Sequence, residues 1–318
     1  MTNKNYAKGI LYGIISLLFL SLEPIIANSR PAEIDSFIYG AMTSIIMSTI
    51  FLPLMLLERN RIKANLVNLD STTESEKIQE INTLLNGFKN HRLLFIYLGI
   101  NFAIVYVLFF YGIELAGAIN GTLAQKMDLI FGLFFGYLIN KEKIKKTQVF
   151  FSIVLFFGLT IAVTQGSFNL IEFNLGVILL IITVMLWMLA HAITRPILEK
   201  KEISPFQLVF IRNLISGIIL FVSYLAFFGN RAFILLLDPV NLYNFLLMGI
   251  VYGIDLYCYY LALSYIKVSK VSILMAPSLI ITTFFATIFL SEIFTVYHLI
   301  GSIIVITSIV IIIRLKEE

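Results

Sequence analysis

The chain is poor in charge, nearly free of cysteine, and lacks common catalytic signatures. Asp, Glu, Lys and Arg make up 13% of its 318 residues, while 59% are hydrophobic. Soluble domains carry about 25% charged residues. With a mean hydropathy of +0.94, no soluble core of this length could absorb so much apolar surface. The single cysteine, Cys258, excludes an internal disulfide. No Walker phosphate loop is present, so ATP does not drive the protein directly. No His/Cys metal spacing and no nucleophile elbow occur. An enzyme is therefore not expected, nor a cofactor, nor a metal site.

What the chain has instead is long apolar runs. A bilayer crossing needs about 20 apolar residues in sequence. The sequence predicts an all-α polytopic membrane protein with ten transmembrane helices. They are Gly9–Ala27, Phe37–Leu57, Leu93–Ile113, Ile119–Ile139, Gln148–Thr164, Leu175–Thr194, Phe206–Phe228, Phe245–Leu263, Val271–Leu290 and Val296–Ile313. The first is too long for a cleaved signal, and Glu23 interrupts it. Of 23 Lys and Arg residues, all but four fall on one set of loops. The exceptions are Arg30 and Arg231 on the other side, and Lys126 and Arg212 inside spans. Lys and Arg concentrate on cytoplasmic loops, so both termini are predicted to be cytoplasmic. The pI near 9.0 reports topology, not a nucleic-acid partner. The bilayer is the plasma (inner) membrane.

The stretch from Gly99 to Ile161 recurs, without a gap, from Gly249 to Ile311. Gly99-Ile100 matches Gly249-Ile250, Phe134-Phe135 matches Phe284-Phe285, and Glu142 matches Glu292. A fixed offset marks a duplicated unit. Residues 1–165 form the first five-helix repeat and 166–318 the second, joined by a hinge at Gln165–Asn174. Five crossings separate the copies, so they are predicted to be inverted, the usual scaffold for alternating access. A polar segment, residues 58–92, interrupts the first repeat. Within it, Ile78, Ile81, Leu84 and Leu85 are spaced for one apolar helix face. It reads as a tolerated cytoplasmic insertion, an amphipathic surface helix or a partner site. Glycine pairs such as Gly9/Gly13, Gly132/Gly136 and Gly249/Gly253 allow close helix approach. They favour packing within one chain over a dimer interface, and monomer and homodimer both stay open.

The run from Ala276-Pro277 through Ser291-Glu292-Ile293-Phe294-Thr295 to Gly301 resembles the EamA module of the drug/metabolite transporter superfamily. Asn140-Lys141-Glu142-Lys143-Ile144 stands at the equivalent loop of the first half. The resemblance implies ten helices in two inverted repeats. It also implies an arginine in the second helix of a repeat, a place that Arg212 fills in the second half. Related organophosphate and nucleotide-sugar carriers use membrane lysines to hold anions, and Lys126 is similarly placed. The chain departs from the pattern at Met127, which stands where the second copy has Pro277, and at Glu23-Pro24.

Ionisable side chains inside spans are costly and mark functional sites. Here they are Glu23, Lys126, Asp128, His191, Arg212 and Asp255. Tyr252 and Tyr259 share a helix face with Asp255. A carboxylate between rings suits an ammonium group or a proton. Lys126 and Asp128 point apart unless the helix unwinds between them. Arg212 is close enough to the inner end for its stem to snorkel outward. Glu23 precedes Pro24, which disfavours helix and suggests a break. Glu142 and Glu292 are expected to cap or pair locally. The two signs of charge point to a secondary transporter of a small polar metabolite, most simply a zwitterion such as an amino acid, with proton coupling. An organic anion, phosphate ester or nucleoside-like solute is the alternative. A membrane-embedded enzyme or lipid-handling protein is the remote one.

Overall fold

The computed structural model describes residues 3–67, 75–167, 174–275 and 277–314. Residues 68–74 of the polar insertion, 168–173 of the hinge, Ala276 and Lys316 lie outside the described residues. Everything described is helix or short connection, with no strand among the described residues. In chain order the helices are α1 (Asn3–Leu20), α2 (Glu23–Asn28), α3 (Ser36–Val67), α4 (Ser75–Leu85), α5 (Gly87–Asn90), α6 (Arg92–Ala116), α7 (Ala118–Gln125) and α8 (Asp128–Asn140). They continue with α9 (Lys146–Val163), α10 (Leu175–Glu199), α11 (Pro205–Phe228), α12 (Arg231–Leu237), α13 (Pro239–Leu263), α14 (Val268–Leu274), α15 (Ser278–Phe289) and α16 (Val296–Arg314).

Among the described residues, seven helical stretches are long and apolar enough to cross a membrane. Three shorter apolar helices, Asp128–Asn140, Ser278–Phe289 and Val296–Ile311, accompany them. Large apolar side chains cover the outside: Ile303 is 64% exposed, while Arg212 and Glu23 are fully buried. That distribution suits a bundle surrounded by lipid, where ionisable groups turn inward.

Three of the apolar stretches are not single helices, and of these only the first break, at Glu23-Pro24, was expected from the sequence. The first breaks at Ser21–Leu22 between α1 and α2. The fourth breaks at Lys126–Met127 between α7 and α8. The ninth breaks between α14 and α15, around Met275 and Pro277. Proline explains two of these. Pro24 and Pro277 have no N–H to continue the ladder. No proline stands at the break in the fourth stretch. There the chain tightens into i→i−3 bonds, Lys126 N–H to Leu123 O at 3.0 Å and Met127 N–H to Ala124 O at 3.1 Å. The matching turn of the second copy has Ser278 N–H to Met275 O at 3.1 Å.

Packing pairs corresponding parts of the two copies. α3 lies on α11 and α9 on α16, while α6 lies on α10 and α13 on α1. The α9–α16 crossing depends on two glycines. A Cβ at Gly301 would stand 2.5 Å from the Gly158 carbonyl oxygen, and one at Gly158 would stand 3.1 Å from that of Gly301. The glycine pairs noted in the sequence face atoms of the same chain, as Gly9 faces Ile266 and Gly249 faces Ile46.

The polar insertion is docked on the bundle. Arg59 of α3 donates to the Leu85 carbonyl at 3.2 Å, and Gln207 of α11 donates to that of Leu84 at 3.0 Å. His91 meets Glu202 at 2.9 Å. Ile78, Ile81, Leu84 and Leu85 lie on its less exposed side.

Gly301→Val should overpack the α9–α16 crossing and cost roughly 1–3 kcal/mol, read as a lower melting temperature in detergent. Ile303→Val on the outer face should stay within about 0.5 kcal/mol. Equal melting of the two variants would show that α9 and α16 do not cross at Gly301.

Candidate functional site

The three helix breaks meet around one cavity. It encloses about 50 Å³, and its wall includes Glu23, Lys126, Asp128, His191, Tyr252, Asp255 and Tyr259. These are seven of the eight residues singled out from the sequence. Leu20, Phe102, Gln125, Trp187, Met188, Leu256 and Met275 complete the wall. At about 10–15 Å³ per water position, the space takes a few waters and is too small for a metabolite. In this conformation the cavity is contracted.

Glu23, Lys126 and Asp128 owe their positions to breaks, while Asp255 lies within an unbroken helix. Glu23 opens α2, directly after the turn that ends α1. It lies against the Asp255 carboxyl, and beyond that group neither of its oxygens has a hydrogen-bond partner. Asp255, on α13, accepts from the Ser16 hydroxyl of α1 at 2.5 Å. Lys126 ends α7, and its ammonium reaches across to the break in the other copy. It donates to the Met275 carbonyl at 2.8 Å and to the Ser278 hydroxyl at 2.6 Å. Asp128 opens α8, where a carboxylate suits the helix N-terminus. The unwinding that would let Lys126 and Asp128 share a side does occur between them, but no ion pair joins the two among the described residues.

The aromatic wall is continuous. His191 meets Tyr259 at a tilt with ring centres 4.4 Å apart, and Tyr252 meets Tyr106 edge-on at 5.2 Å. The His191 Nδ1 and the Gln125 side-chain nitrogen find no hydrogen-bond partner. Buried polar atoms are usually paired, so these two mark the cavity as a place for a polar guest.

Arg212 is the one sequence candidate that the structure does not bring to the cavity wall. Snorkelling is also ruled out, because the side chain is fully buried. Its guanidinium lies 3.5 Å from the centre of the Phe102 ring and donates to the Tyr260 hydroxyl at 2.7 Å and the Tyr106 hydroxyl at 3.0 Å. Tyr106 in turn donates to Asn213 at 2.7 Å. Arg212 is thus a positive charge held one layer behind the wall.

Sequence reasoning passed over Phe102, Tyr106, Trp187 and Ser16. One signal was available for the first. Applied to Tyr252, the offset between the copies returns Phe102. Nothing in the sequence marks Ser16 as the partner of Asp255, 239 residues away.

The loop glutamates do not act locally. Glu292 accepts from the backbone N–H groups of Ala118 and Ile119 at 2.6 and 2.9 Å, and from Asn28 at 3.2 Å. It therefore caps α7, which belongs to the other copy. Gly117, at φ +80°, lets the carboxylate approach, since a Cβ there would stand 3.2 Å from it. Glu142 lies 3.4 Å from Arg195 of α10, again across the copies.

Arg212→Lys keeps the charge but loses the planar fork and the stacking on Phe102. It should destabilise the protein by roughly 1.5–3 kcal/mol, the usual worth of a hydrogen bond to a charged group. Unchanged thermal melting would show that the two tyrosine contacts carry no stability.

The family model described as the EamA-like transporter family matches this chain twice, over residues 7–164 and 174–314. No curated protein matches its sequence. A protein solved by crystallography is similar in fold, with a TM-score of 0.65 at 14% identity, over 98% of this chain and 99% of that one. The chain belongs to the EamA-like transporter family of the drug/metabolite transporter superfamily and is a multi-pass membrane transporter.

Proposed function

We propose that the protein is a secondary active transporter in the plasma membrane that moves a small, amino-acid-like metabolite by alternating access, with proton coupling. One observation carries this reading: charges of both signs, Lys126 against Glu23 and Asp255, line a single buried cavity. A zwitterion fits such a wall. Its carboxylate would meet the Lys126 ammonium, which has a third N–H beyond the two donated to Met275 and Ser278. Its ammonium would meet the acidic side, flanked by Tyr252 and Tyr259. Arg212 acts through Phe102 and its two tyrosines as a positioning residue.

The ten-crossing, two-repeat organisation, with domains at 1–165 and 166–318 and both termini inside, supplies the movement. The seven long and three short apolar helices support it, as does the basic bias of one set of loops. Inversion of the repeats puts Glu142 and Glu292 at opposite faces of the membrane. Each glutamate engages the other repeat, Glu292 through α7 and Glu142 through Arg195. Release of one grip while the other holds would open the cavity to one side at a time. The contracted cavity of about 50 Å³ corresponds to both ends closed, and a substrate needs the wider pocket of an open state.

Flux of radiolabelled amino acids into proteoliposomes tests the reading. Lys126→Gln and Asp255→Asn should each lower flux by roughly ten- to a hundredfold, the equivalent of one charge-assisted contact. Competition decides the substrate class. If phosphate esters or other organic anions block transport and amino acids do not, the zwitterion reading fails.

A further inference from the structure

Two carboxylates side by side in the membrane demand an account of their charge. Glu23 is fully buried and lies against the Asp255 carboxyl, and beyond that group neither of its oxygens has a hydrogen-bond partner. Asp255 has one hydroxyl donor, Ser16. The charged groups around this pair are Lys126 on α7, Asp128 on α8 and Arg212 on α11, with the titratable His191 on α10 and Tyr252 and Tyr259 on α13. The tyrosine hydroxyls are neutral near pH 7, and His191, beside the Arg212 guanidinium, is counted neutral. Two positive charges then face three negative ones. In a medium of low dielectric, an unbalanced charge is expensive. One added positive charge restores balance.

We propose that Glu23 and Asp255 hold one proton between them, and that this pair, separate from Lys126, is the cation-coupling site of the cavity. The reading of the protein as a transporter underlies the word coupling; the shared proton does not depend on it. A proton suits the place better than an alkali ion. Hard cations take six or more oxygen ligands, and no group of three or more His, Cys, Asp or Glu side chains is placed to hold a metal ion among the described residues. Leu20, Leu256 and Met275 leave the surroundings apolar. The break between α1 and α2 gives the pair its opening, because Pro24 cannot return an N–H to the chain before it.

The test uses the full chain in detergent. Infrared difference spectra over a pH titration report the carbonyl band of a buried carboxylic acid, and a weakly buffered pH jump counts protons. The wild type should show one shared acid band and uptake of about one proton by the pair. Glu23→Gln and Asp255→Asn should each abolish both signals, because either one balances the cavity without a proton. The double variant should lose no more than either single one. Glu23→Asp keeps the carboxylate and should keep the proton, which covers a failure of Glu23→Gln to fold. Loss of the band in only one of the two neutralising variants, or in neither, overturns the shared site. So does loss of the wild-type band when sodium chloride replaces N-methylglucamine chloride at fixed pH, since an alkali ion would then be the occupant. Flux of the same variants in proteoliposomes keeps the two ideas apart. An intact flux with no shared proton removes the pair alone, while a shared proton without flux removes the transport reading alone.

Discussion

The contact from the Lys126 ammonium to the Met275 carbonyl joins the break in one repeat to the break in the other. Inside a bilayer, water is not there to satisfy a backbone group freed from its helix, so protein must do it. Lys126 provides the donor from the opposite copy, and Ser278 shares it. The two broken helices are therefore held at one point in the middle of the bundle. The cavity exists because the ladders stop there, and charged side chains collect at their ends.

The rest of the site follows from that constraint. A third break, between α1 and α2, places Glu23 beside Asp255, so negative charge gathers near the lysine. Arg212 supplies a second positive charge from behind an aromatic layer, where tyrosine hydroxyls replace the water it has lost. At the two ends of the bundle the same economy recurs. Glu292 satisfies amide groups at the start of α7 that the helix itself leaves open. Glutamates thus tie one repeat to the other through polar contacts.

The copies are alike in scaffold and unlike in charge. Lys126 stands where the second copy has Ala276, Asp128 where it has Ser278, and Asp255 where the first has Val105. Phe102 and Tyr252 occupy matching positions and both line the cavity. Aromatic walls are thus common to both halves, and the polar chemistry is divided between them.

Much of this was legible in the chain. Apolar runs, a constant offset of the repeats and the basic bias of one set of loops follow from composition and spacing, which are local properties. Glu23-Pro24 announced its break, because proline chemistry acts on its own neighbourhood. The break at Lys126–Met127 was not announced, since no proline is there and the turn is held by the opposite copy. Arg212 was misjudged for the same kind of reason: depth along a span does not tell which neighbour covers a side chain. Glu292 was read as a local cap, and its partners lie in another repeat. By itself, the sequence determined the membrane class, the duplication, the family and the short list of intramembrane charges. Only the tertiary structure decided which of those charges meet. Crossings and helix breaks bring together residues more than two hundred positions apart, such as Ser16 and Asp255, and no periodicity along the chain encodes that encounter.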